Sequence, residues 1–111
     1  MNYAVLHKRL KAAASKETAY DPDAWDPENP LKGHCGAVSY IIQSFLGGDI
    51  IQGKVQGESH LWNRLPDGRE LDFTADQFGA DGYEPLAKGR VAKPRKTTNP
   101  RFIEYAKKVG R

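Results

Sequence analysis

Cysteine is nearly absent from this chain. Cys35 stands alone, so no internal disulfide can form, and the cytoplasm is the simplest compartment. Long hydrophobic runs are missing too. No apolar stretch approaches the roughly 18 residues of a membrane helix, so no membrane partner is expected. The opening MNYAVLHKRLKAAASK lacks a signal peptide's continuous apolar block and reads as a short amphipathic helix. There is no internal repeat, and neither CxxC nor HxxxH spacing occurs. What is present suits an ordinary globular protein: 111 residues, 39% hydrophobic and 28% charged, expected to form one domain over 1–111.

Charge is unevenly placed. From Leu86 onward nine basic residues stand against Glu104 alone, a balance of nine less one, or +8. The preceding 85 residues hold eight basic and thirteen acidic groups, a balance of −5, so the net charge is +3. The basic segment 86–111 could touch nucleic acid or an acidic partner. It equally suits a solvated terminus, or one docked on the acidic body.

The element order reads as α+β. In the first helix Val5, Leu6, Leu10 and Ala13 form the apolar side. Residues 20–30, YDPDAWDPENP, carry three prolines among Asp21, Asp23, Asp26 and Glu28, which predicts a connector anchored by Trp25. A second helix follows from about Cys35 to Leu46, with Cys35, Val38, Ile42 and Phe45 at helical spacing and Gly47-Gly48 as its stop. Residues 49–57 and the two runs flanking Pro66-Asp67-Gly68 predict antiparallel strands. Thr74 and Gln77 match a capping box, and residues 79–98 read as irregular. Asn99-Pro100 then opens a last helix whose apolar face is Phe102, Ile103, Ala106 and Val109.

Cys35 falls at the first turn of its helix. Unpaired backbone N–H groups and the positive end of the helix dipole both favour the reactive thiolate there. Gly33 and Gly36 leave room for a substrate carbonyl. The same spacing also allows Cys35 to be a small buried hydrophobe. A thiol nucleophile needs a base, and the base an orienting group. His7 lies in the first helix with no partner signal and is expected at the surface. His34 adjoins Cys35, but neighbouring helical side chains point about 100° apart, an awkward setting for a base. His60 is left, with Asp72 on the following strand.

The turn decides whether those two meet. Leu65-Pro66-Asp67-Gly68 fits a type I turn closed by a left-handed glycine, a three-residue hairpin loop. That loop pairs Leu65 with Arg69, Trp62 with Asp72 and His60 with Thr74. His60 and Asp72 then share a face as diagonal neighbours within side-chain reach. A two-residue Asp-Gly loop would place them on opposite faces. The pair could also be a plain sheet-surface hydrogen bond. A metal site on Cys35, His60 and Asp72 lacks an obvious fourth ligand.

The segments NPLKGHCGAV, SHLWNRLPDGRELDFTADQFG and NPRFIEYAKKVGR resemble the YunG-like family of small bacterial and phage proteins. The resemblance covers the chain from about Trp25 to its end. More distantly, a cysteine at a helix start, His-x-Trp on a strand, a turn and Asp on the next strand resemble papain-like and transglutaminase-like cysteine enzymes. That likeness implies a nucleophile helix packed on an antiparallel sheet, with N- and C-terminal helices around it. It implies Cys35 as nucleophile, His60 as base, Asp72 as orienting acid and Asn29, six residues before Cys35, as an oxyanion donor. The expected activity is thiol-dependent hydrolysis or acyl transfer at an amide or ester of a protein or peptide substrate, with no cofactor and no metal. The alternative is a catalytically silent binding or inhibitory protein on the same fold, contacting nucleic acid or an acidic partner through its basic C-terminus.

Overall fold

A computed structural model describes residues 2–93 and 99–110. Among them, three helices surround a four-stranded antiparallel sheet, an α+β arrangement. Helix α1 spans Tyr3–Ala13; Asn2 caps it, its Oδ1 accepting from the Val5 N–H at 3.1 Å. Leu6 and Leu10, one turn apart, are its buried residues. Val5, expected beside them, is 54% exposed, because it lies one position off that stripe.

Helix α2, Cys35–Leu46, is built largely from β-branched and apolar residues whose weak helix propensity is outweighed by burial. Ala37, Val38, Ile41 and Ile42 face the core, whereas Phe45 is exposed. Gly47 ends the helix at φ 77°, a value only glycine adopts freely. Strands β1 (Asp49–Val55) and β2 (Glu58–Arg64) pair through a two-residue turn in which Gln56 and Gly57 both have positive φ. Strand β3 is only Glu70–Leu71, and β4, Gly89–Val91, adds to the far side of β1. The sheet order is therefore β3-β2-β1-β4.

Strand β4 corrects the reading of 79–98 as irregular. Its three residues are all exposed, so no buried alternation marks it; it is held by main-chain pairing to β1. Residues 94–98 lie outside the described residues. The connector 20–30 is ordered within itself. Pro22–Ala24 makes a 3-10 turn capped by Asp21, Asp26 bridges Asn29, and the Trp25 indole donates to the Pro30 carbonyl at 2.9 Å. Through this bond Trp25 ties the middle of the connector to its end at Pro30.

Helix α3, Pro100–Val109, starts as read: Asn99 Oδ1 accepts from the Arg101 N–H at 3.0 Å. Its buried residues are Phe102, Tyr105 and Val109; Ile103 is exposed. Tyr105 is fully buried and its hydroxyl donates to the Leu10 carbonyl at 2.6 Å, joining α3 to α1. Fully buried side chains of this kind contribute about 1.5–3 kcal/mol each. Gly36 sits where α2 and α3 come closest, since a Cβ there would stand 3.1 Å from the Phe102 ring. This packing brings the starts of α2 and α3 to the same end of the molecule.

Candidate active site

The hairpin between β2 and β3 forms with the register that its turn chemistry predicts. The Leu65 N–H donates to Arg69 O at 2.8 Å, Gly68 N–H to Leu65 O at 2.9 Å, and Gly68 has φ 89°. Arg64 faces Glu70 and Asn63 faces Leu71, so His60 and Asp72 project from one face. Their side chains meet: His60 Nε2 lies 2.6 Å from Asp72 Oδ2, and each residue is 1% exposed. A charge-assisted bond this short, away from water, fixes the imidazole's orientation.

Asp72 is held in turn. Its Oδ1 accepts from the Thr74 N–H at 3.0 Å and from the Thr74 hydroxyl at 3.1 Å. The capping box expected at Thr74 does not form among the described residues: Ala75–Phe78 is a 3-10 turn, and the Thr74 hydroxyl serves Asp72 instead of the helix end. A capping hydroxyl would accept from a backbone N–H of the turn; here it donates to the carboxylate instead.

Cys35 is the first residue of α2 and half-buried. His34 is the N-cap, with no side-chain cap bond among the described residues. The N–H groups of the first turn therefore lack intrahelical partners and point past the thiol. Cys35 and His60 line one cavity of about 550 Å³, with Gln77, Phe78, Arg101 and Phe102 among its other walls. Burial pushes the His60 imidazole down. The hydrogen bond to Asp72, a second one to Cys35, and the charges of both more than reverse this, lifting it from 6.5 to about 9. Phe78 stands edge-on to the ring at 4.9 Å between centroids, and Trp62 lies against it at 5.7 Å.

The other histidines have separate work. His34 is fully buried: its Nδ1–H donates to Lys32 O at 3.1 Å, its Nε2 meets the Thr18 hydroxyl at 2.7 Å, and Tyr105 packs on the ring. Burial is the main reason its pKa falls below 6.5; the Lys32 bond opposes this and Arg101 adds to it. His7, expected at the surface, is largely buried, 3.0 Å from Asp76 Oδ2 and edge-on to Tyr83. It pins α1 to the turn that carries Gln77. Among the described residues no group of three or more His, Cys, Asp or Glu side chains could hold a metal ion, and no helix is long and apolar enough to cross a membrane.

A family model described as YunG protein matches residues 2–109. The chain belongs to the YunG family. A relative in Bacillus subtilis (strain 168), titled Uncharacterized protein YunG, is 38% identical over 56 residues, 50% of this chain. The match spans 48% of that relative, about half its length. No solved structure matches.

In this YunG chain Asn29, expected as an oxyanion donor, has a bond of its own to the Gln77 turn. The Asn29 side-chain nitrogen donates to the Gln77 carbonyl at 3.3 Å, and Asn29 is not among the cavity's lining residues. That bond braces the turn that carries Gln77. Gln77 is the residue that sequence reasoning misplaced. Read as the far half of a capping box, it instead lines the cavity, and its side-chain nitrogen is buried with no partner among the described residues. The only signal available was indirect: a carboxylate two residues back, Asp72, could draw the Thr74 hydroxyl and N–H away from the turn.

Proposed function

We propose that this chain is a thiol-dependent hydrolase or acyltransferase acting on an amide or ester carbonyl, with Cys35 as nucleophile, His60 as proton carrier and Asp72 as the group that orients His60. The observation that carries this reading is the buried 2.6 Å His60–Asp72 bond, on a ring that lines the same cavity as Cys35. A mere sheet-surface pair would have no reason to be fully buried beside a half-exposed thiol. The distant likeness to papain-like and transglutaminase-like enzymes, a nucleophile helix against an antiparallel sheet, supports the same reading.

The chemistry runs in two halves. The thiol proton goes to His60, and the Cys35 Sγ electron pair attacks the carbonyl carbon, forming a C–S bond as the carbonyl π pair moves onto oxygen. That pair returns, the bond to the leaving nitrogen or oxygen breaks, and His60 gives its proton to the leaving group. The thioester is then attacked by water or an amine, which yields a proton to His60 as Cys35 departs as thiolate. Asp72 offsets the imidazolium charge in both halves.

The test is intact-protein mass after exposure to p-nitrophenyl acetate at pH 7.5. One acetyl group should appear at Cys35, none in Cys35→Ala, and its formation should slow about a hundredfold or more in His60→Ala. Acetylation scattered over lysines, or equally fast in His60→Ala, would refute the reading.

A second reading, a silent binding protein, draws on Lys54, Lys88 and Arg90 lining one open groove beside β1 and β4. It predicts binding to a short DNA or RNA duplex that weakens steeply with salt and is lost in Lys88→Glu/Arg90→Glu. A chain that acetylates at Cys35 and shows no such binding excludes it.

A further inference from the structure

A nucleophile at Cys35 needs a substrate, and the charges around its cavity narrow what that substrate is. Asp21, Lys32, Glu58 and Arg101 line the cavity that holds Cys35 and His60. Asp21, Lys32 and Glu58 are exposed, so water and salt screen them. Asp21 also spends an oxygen on the turn after it, accepting from the Asp23 N–H at 3.1 Å. Of the four, Arg101 is the half-buried one.

What surrounds Arg101 is aromatic rather than acidic. Its guanidinium carbon lies 5.5 Å from the centre of the Tyr20 ring and 5.8 Å from that of Phe102. No carboxylate pairs with it among the described residues, and no hydrogen bond there reaches its guanidinium nitrogens. Aromatic faces attract the cation but offer it no acceptor lone pair, so its forked N–H edge stays unmatched. Both aromatic residues are anchored beside the thiol. Tyr20 N–H donates at 3.0 Å to the carbonyl of Gly33, two residues before Cys35. Phe102 packs on Gly36, the residue after it, where a Cβ would stand 3.1 Å from the ring. The guanidinium is therefore held by partners tied to both sides of Cys35.

We propose that the acyl substrate of Cys35 carries a carboxylate close to the carbonyl under attack, and that Arg101 is the residue that selects it. A planar fork of donors matches a carboxylate in shape as well as charge. The substrate class is an acidic peptide segment or a peptide end, since an acidic side chain and a chain terminus offer the same group. This deepens the acyl-transfer reading and rests on Cys35 as its nucleophile. Lys32, exposed, is a point charge in water and cannot supply the same match.

The test uses two alkylating reagents of one shape, N-iodoacetylglycine, which carries a carboxylate, and the neutral N-iodoacetylglycinamide. Each forms a C–S bond at Cys35 Sγ and releases iodide. Native Cys35 should favour the charged reagent about tenfold, relative to the same pair on the urea-unfolded chain. Arg101→Gln should remove the preference, with Arg101→Met as the second variant should the first not fold. Arg101→Lys should keep part of it, a point charge replacing the fork. N-iodoacetylaspartic acid α-amide moves the carboxylate onto a side chain, and the faster of the two charged reagents names the source. No preference for either in the native chain would overturn the proposal. So would a preference that survives Arg101→Gln, or one lost only in Lys32→Gln. The acetylation result stands apart from these. Acetylation at Cys35 without a charge preference keeps the nucleophile and removes the role of Arg101. A preference without acetylation removes the acyl transfer and leaves a carboxylate site beside a reactive thiol. A thiol that meets no reagent until the chain unfolds refutes both.

Discussion

His60 is pulled in two directions. Its burial favours the neutral ring, whereas Asp72, bonded at 2.6 Å, and Cys35 favour the charged one, and the second influence wins, at about 9. The outcome therefore depends on the carboxylate. Asp72→Asn keeps the shape and removes the charge, leaving burial to dominate. The His60 midpoint, followed by NMR of ring-labelled protein, should then drop from about 9 to below neutral, and Cys35 alkylation at pH 7 should slow several-fold. A midpoint unmoved in Asp72→Asn would show that Asp72 does not set the state of the ring. At this scale the sequence was informative where a single local geometry had to hold. Proline at the first turn position and glycine at the third dictated the loop, and the loop dictated which side chains meet. The place of Gln77 on the cavity wall was not legible, because the turn it sits on depends on where Thr74 sends its hydroxyl, and no spacing rule ranks a backbone N–H against a carboxylate.

Elements were read best where termini carry strong chemistry. Asn99-Pro100 and Gly110 bound α3, and Gly47 stops α2, as their side-chain and φ preferences require. Faces were read less well. Val5, Phe45 and Ile103 were assigned to the core on helical spacing and are exposed, while Tyr105, passed over, is fully buried. Hydrophobic identity marks a stripe, but the neighbours decide which edge of it is covered. The sheet holds a similar case in Gly53. It lies under the Trp62 ring: a Cβ there would stand 2.5 Å from Trp62 Cη2 and 2.9 Å from the Lys88 carbonyl of the approach to β4. Trp62 is fixed at its other end, its indole donating to Glu70 at 2.7 Å, so it cannot swing aside freely. Gly53→Ala should therefore cost about 1–3 kcal/mol, read as a lower urea midpoint at unchanged slope. A neutral result would mean that β4 and Trp62 can yield together.

At the scale of the whole molecule, two buried histidines shape stability in opposite senses. His34 titrates below 6.5 in the folded chain, mainly through burial, so below pH 6.5 the unfolded chain takes up a proton that the folded one resists, and stability falls as pH drops. His60 does the reverse. Its folded value, about 9, exceeds the unfolded 6.5, so its contribution is complete below pH 6.5, declines between 6.5 and 9, and is gone above that. The rise is worth at most about 3 kcal/mol. The two effects meet near pH 6.5, where stability should peak. Urea unfolding at half-unit steps from pH 5 to pH 10 should trace that dome. Thr18 and Lys32 hold His34, whereas Asp72 holds His60, so the two limbs can be removed separately. Asp72→Asn should flatten the alkaline limb and leave the acid limb in place; His34→Gln should flatten the acid limb alone. A native curve still rising from pH 7 to pH 9 would show that the His60–Asp72 pair holds no proton that the unfolded chain lacks, and would refute the rise of His60 to about 9.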